Sequence, residues 1–215
     1  MTSPASLRVG LTQVEIDRRD AFVALALAVL SALLGWQLIG GSHFDWHVPL
    51  LYGRDSLLHL VFIKRLIDGH GYFLNDAQGF PVGSELYDFP GSDGVSLAAL
   101  WALGRATGSA PMALNIYYVL GFPLAAMSAY LVFRKLSVTR ATSAAFSLLF
   151  ALAPFHFLRL EHLYFTWYFT IPIFVWYGLR VCSTLVASRK LAGNRRTWLA
   201  WISTRGSWAN RGACC

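Results

Sequence analysis

The sequence predicts an all-α transmembrane protein, with four membrane-spanning helices and an extracytoplasmic loop that carries interfacial amphipathic helices. Three observations lead there. Apolar residues make up 56% of the 215-residue chain and charged residues only 13%, where a soluble domain carries about a quarter charged. Uncharged runs approach twenty residues, the length that crosses a bilayer core. Between the first two runs lies a long polar insert, residues 40–111, holding seven of the eleven acidic residues and four of the six histidines.

The net charge of +7 does not point to nucleic acid. Arginines and lysines gather in the N-terminal tail, around Arg134–Arg140 and after Arg180. Four helices put all three stretches on one side, as the positive-inside rule requires. The insert has seven acidic against four basic side chains, a net of −3, and falls on the other side. The expected location is the cell inner membrane, multi-pass, with both termini cytoplasmic and membrane lipid as the obligatory partner. The eight tryptophans suit rings gathered at membrane interfaces. Three cysteines offer neither a disulfide framework nor a C-x-x-C metal motif.

Residues 1–20 read as a cytoplasmic tail and 21–187 as the membrane domain. The first span, Ala21–Ile39, has nineteen residues without a formal charge. At about 1.5 Å per residue it covers about 28 Å. A cleaved signal peptide would have a shorter apolar core, so an uncleaved anchor is expected. In the loop, Asp55–Asp68 and Gly94–Thr107 have helical apolar patterns too short to span. They suit helices lying at the interface. Gly69–Gly94 is rich in Gly, Pro, Asn and Asp and reads as turns. Further spans are expected at about 112–133, with a kink at Pro123, then 141–157 and 163–181. Residues 188–215 are basic, rich in Trp and free of acid. They read as a cytoplasmic tail, or as sequence out of frame that makes the chain an N-terminal piece of a larger protein.

Chemistry has several candidate carriers. Asp55 opens a helix just after Gly53-Arg54. The plain reading is an N-cap; the functional one is a carboxylate at the membrane surface acting as general base. Asp45 is its alternative. His59 lies one turn beyond Asp55. Asp88 and Asp93 flank a Pro-Gly turn and read first as turn residues. With Asp45 and Asp55 they are also candidate ligands for a divalent metal, the one cofactor the pattern suggests. His43, His47, His59 and His70 lack zinc-ligand spacing. His156, Arg159, Glu161 and His162 cluster in PFHFLRLEH at the end of the third span. The plain reading is an interfacial turn with Arg159 snorkelling. The functional one is that Arg159, His162 and His156 hold a phosphate, since the arginine fork donates two hydrogen bonds. Phosphate-binding glycine loops and serine nucleophile elbows are absent from the sequence.

Four stretches carry a resemblance: YGRDSL at Tyr52–Leu57, FPVGSELYDFP at Phe80–Pro90, NIYY at Asn115–Tyr118 and PFHFLRLEH at Pro154–His162. As a set they resemble the N-terminal part of bacterial polytopic membrane proteins of the GT-C glycosyltransferase type, over about half the chain. The resemblance implies transfer of a sugar from a polyprenyl-phosphate donor on the outer face. It implies an essential acid near the first span, which by position looks like Asp55, with Asp45 second. Arg159 and His162 then become candidates for the donor phosphate. Such enzymes usually have eight or more spans, which is the reason to expect a truncated piece here. The alternative is a non-catalytic membrane protein, a lipid-sugar transporter component or an assembly partner.

Overall fold

The computed structural model describes residues 15–53, 55–69, 74–76, 81–85 and 93–192. Among the described residues the regular structure is helical apart from one antiparallel pair of two-residue strands, β1 (Leu74–Asn75) with β2 (Ser84–Glu85), inside the turn-rich part of the loop. Among the described residues, three helical stretches are long and apolar enough to cross a membrane: Arg18–Leu38, Ala110–Lys135 and Arg140–Leu158.

Helix α1 (Arg18–Leu38) starts three residues before the expected span. Asp17 caps it, accepting from the Asp20 amide at 2.7 Å, and Asp20 reaches back to the Asp17 amide. This reciprocal box satisfies two of the free N–H groups at a helix start. The proposed 1–20 tail therefore ends inside the helix, and Asp20 is a buried residue of the bundle, 0% exposed. A 3-10 turn, Gly41–His43, follows. Helix α2 spans Asp55–Ile67 and α3 spans Gly94–Thr107, as the apolar pattern indicates. Asp93 caps α3, and Gly108 ends it with a left-handed φ of 66°. That conformation costs glycine nothing and other residues a steric clash.

Helix α4 (Ala110–Lys135) is the axis. Ser109 caps it, and the helix runs through Pro123 without interruption. It buries Tyr117, Tyr118, Phe122, Ala125, Ala129 and Tyr130. The helices α1, α3, α5 (Arg140–Ala151) and α7 (Thr170–Ala192) all pack on it, and α2 touches its first turns. A core cluster joins Tyr117, Tyr118 and Phe122 to Ile63 of α2, Leu100 of α3 and Leu163. The two loop helices thus have a hydrophobic reason to sit against the start of α4. By contrast, α1 leaves Phe22, Leu25, Val29 and Leu33 exposed. Apolar surface on that scale suits lipid contact.

The third expected span, 141–157, comes out as two helices, α5 (Arg140–Ala151) and α6 (Pro154–Leu158). Pro154 lacks an N–H and biases the residue before it away from helix. The expected fourth span, 163–181, does not begin as an α-helix. Leu160–Thr166 is a 3-10 stretch with non-helical dihedrals at His162, and α7 (Thr170–Ala192) starts only after Phe169. The reason is tertiary. The Trp167 indole stacks on Tyr117 at 4.1 Å and donates to the Tyr117 carbonyl at 2.8 Å. Tyr168 donates to the carbonyls of Phe150 and Ala151, both at 3.0 Å. These contacts fix the segment before α7 against α4 and α5. Helix α7 then continues through the boundary expected at residue 188.

Candidate functional site

At the end of the bundle where α4 begins, the chain from Trp46 to Leu50 crosses the start of α4. Asn115 pins it there. Its side-chain amide donates to the Trp46 carbonyl at 3.0 Å and the Val48 carbonyl at 2.8 Å, and its oxygen accepts from the Leu50 amide at 3.2 Å. Asn115 is 1% exposed, so these bonds form away from solvent, where an unmade one is costly. Ser56 then closes the entry to α2, its hydroxyl bonding to the backbone of Leu51 and Gly53. With Ser56 in that role, the neighbouring Asp55 carboxylate projects outward and is 61% exposed.

The Asp55 carboxylate meets a residue from the other side of the sequence. His162 Nε2, on the 3-10 stretch, lies 3.5 Å from Asp55 Oδ2. The His162 side chain is 43% exposed and lies nearly parallel to the Phe165 ring. His59 completes the group one turn along α2. Its ring leans against Tyr164 at 4.5 Å, and its Nδ1 is buried without a hydrogen-bond partner. Burial pushes the His59 pKa below the ordinary histidine value; the Asp55 charge pulls it up and His162 pushes it down. Burial dominates, because a cation there would lose its water. Beneath the group lies a cavity of about 20 Å³, lined by Pro49, Leu50, Leu51, Ser56, His59 and Tyr118 among others. A space of that size holds about one water.

The family comparisons, searches of curated proteins and searches of solved structures find no match. The site's own chemistry therefore carries the functional argument.

The other candidates separate clearly. His156 is not a surface phosphate ligand: it is 0% exposed in the α4–α6 contact. Its ring stacks on Phe122 at 3.9 Å, and its Nε2 bonds to the Tyr118 carbonyl at 3.2 Å. Since a carbonyl only accepts, Nε2 carries the proton. Gly121 makes room for this ring; a Cβ there would collide with it. Arg159 is exposed and lies over the Phe155 ring at 5.5 Å, and its carbonyl accepts from the His162 amide at 3.0 Å. It shares the turn that presents His162. Asp45 is exposed and accepts from the His47 amide at 2.8 Å, a local turn bond that does not link it to Asp55.

Asp93 is occupied as a cap. It accepts from the amides of Val95 and Ser96 and from the Ser96 hydroxyl, which in turn accepts from Tyr117 at 2.7 Å. Asp88 lies outside the described residues. Among the described residues no three His, Cys, Asp or Glu side chains gather as a metal site. The convergence of Asp45, Asp55 and Asp93 on one divalent ion is therefore not what the fold builds.

Two contributors have contacts that the motifs do not foretell: Asn115, singled out only as part of NIYY, and Tyr164. Asn115 stands within an otherwise apolar run, and a lone amide in such a run is a signal that it has a partner. Tyr164 carries no comparable mark.

Proposed function

We propose that this chain is a GT-C-like membrane glycosyltransferase, or the N-terminal piece of one, that moves a sugar from a polyprenyl-phosphate donor. The observation that carries the reading is the exposed Asp55 carboxylate beside His162 on a separate element, 3.5 Å away. The YGRDSL, NIYY and PFHFLRLEH stretches support it, because they supply Asp55, Asn115 and His162. The site faces the extracytoplasmic side of a cell inner membrane, with both termini and the basic flanks in the cytoplasm.

In this mechanism Asp55 takes the proton of an acceptor hydroxyl as its oxygen bonds to the anomeric carbon. The bond from that carbon to the phosphate oxygen breaks, and polyprenyl phosphate leaves with the electron pair. His162 holds the carboxylate in place. Arg159, on the same turn, offers its guanidinium to the departing phosphate.

The test is Asp55→Asn in the longest natural form of the protein. Transfer from a labelled polyprenyl-phosphate sugar falls by about 10²-fold or more, as removal of a general base does. Unchanged transfer removes Asp55 from the mechanism.

A further inference from the structure

The opposite end of the bundle carries Arg18 and Arg19 at the start of α1 and, around the close of α4, four further cations: Arg134, Lys135, Arg140 and Arg180 of α7. Two of these four are answered by acids. Asp20 takes Arg134 and Arg140, each through Nε at 2.9 Å, and Asp17 takes Arg140 Nη2 at 2.6 Å. The other two are not. Among the described residues, no carboxylate forms an ion pair with Lys135 or Arg180. Lys135 and Arg180 converge instead on one indole. Lys135 Nζ and Arg180 Cζ each lie 5.5 Å from the centre of the Trp176 ring.

The ring attracts each cation through its quadrupole, but it carries no net charge. Two like charges from two helices are thus held no farther apart than about twice the ring distance. An anion between them turns that repulsion into attraction. The level in the bundle says which anion. Lys135 is the last residue of α4, a helix long and apolar enough to span, so this is where a headgroup layer would begin. On α7 the neighbouring Phe174, Tyr177, Leu179 and Val181 are exposed. An apolar wall beside two unanswered cations fits a lipid, with acyl chains on the wall and phosphate on the charges.

We propose that Lys135, Arg180 and Trp176 form a binding site for the phosphate of an anionic phospholipid. The Arg180 fork takes two phosphate oxygens while Lys135 supplies a second positive charge. Basic pockets between helices at a membrane face have this chemistry. The proposal is independent of the catalytic reading, since nothing in it involves Asp55.

The experiment is native mass spectrometry of the full chain released from nanodiscs of phosphatidylglycerol and phosphatidylcholine. Wild type retains phosphatidylglycerol in preference. Lys135→Gln and Arg180→Gln each lower that retention about five-fold, the contribution expected of one basic side chain at an anionic surface. Arg180→Lys keeps most of it and shows that the fold survives substitution there. Arg105→Gln, an exposed cation at the end of α3, leaves retention unchanged. Wild-type retention in the Lys135→Gln, Arg180→Gln double variant overturns the proposal. So does displacement of the lipid by excess inorganic phosphate, which would make the site one for free phosphate.

Discussion

Two aspartates stand in the first turns of two helices, Asp20 in α1 and Asp55 in α2, and the chain treats them in opposite ways. Asp20 is 0% exposed. Its carboxylate accepts from Arg134 and Arg140 at 2.9 Å and from the Tyr130 hydroxyl at 3.1 Å. Those three donors fill Oδ1, the Asp17 amide reaches Oδ2 at 3.4 Å, and the result ties α1, α4 and α5 together at one end. Asp55 is 61% exposed, and His162 stands beside it at 3.5 Å. A saturated carboxylate has no capacity left for a substrate, whereas one with open lone pairs does. Room for a ligand at these carboxylates therefore follows what remains unsatisfied, not position at a helix start.

The largest expected effect lies at the saturated end. Asp20→Asn leaves the buried Arg134 guanidinium without its counter-charge. Orphaning one partner of a buried pair costs about 3–5 kcal/mol, and the low end applies because the exposed side of the cluster can take up water. Thermal unfolding in detergent reads this as a loss of about 3 kcal/mol. A variant that melts like wild type would erase the distinction between the two ends.

Asn115→Ala has the next largest effect, at the other end of the bundle. It removes three buried hydrogen bonds and leaves backbone groups of Trp46, Val48 and Leu50 unpaired. The expected cost is about 2–3 kcal/mol, from typical losses of about 1 kcal/mol for each bond. Because the Trp46–Leu50 segment leads into α2, the spacing of Asp55 from His162 loosens as well. A shift of the His162 ring signal in NMR reports it.

A smaller effect is set by pH. The folded chain holds His59 neutral, with its pKa lowered chiefly by burial. The unfolded chain titrates near the ordinary value of about 6.5. Above that value both states are neutral and the residue contributes no pH dependence. As pH falls below it, the unfolded state binds the proton first and stability declines towards the lower folded pKa. His59→Gln flattens that slope in melting curves taken across the acid range. An equal slope in the variant assigns the effect elsewhere.

Much of this was legible in the sequence where local chemistry decides. The bounds of α2 and α3 follow from apolar spacing and from the Asp93 and Gly108 caps. Asp55 stands out because it opens an amphipathic pattern. What was not legible depends on distant partners. Asp20 reads as one more charge in a tail beside Arg18 and Arg19, and its partner Arg134 is 114 residues away. His156 and His162 share one short motif, yet the break after Leu158 turns the first into the core and the second towards Asp55. The late start of α7, where a fourth span was expected, is set by the bonds of Trp167 and Tyr168 to other helices. Periodicity carries no trace of them.

The most direct test of the contrast measures Asp20→Asn and Asp55→Asn side by side in the same full chain, scoring melting and sugar transfer together. The expected result is a double dissociation. Asp20→Asn melts early, while Asp55→Asn melts within about 0.5 kcal/mol of wild type, as exposed substitutions do, and loses transfer. If Asp55→Asn unfolds as readily as Asp20→Asn, or transfers sugar at the wild-type rate, the division of labour between the two aspartates is wrong.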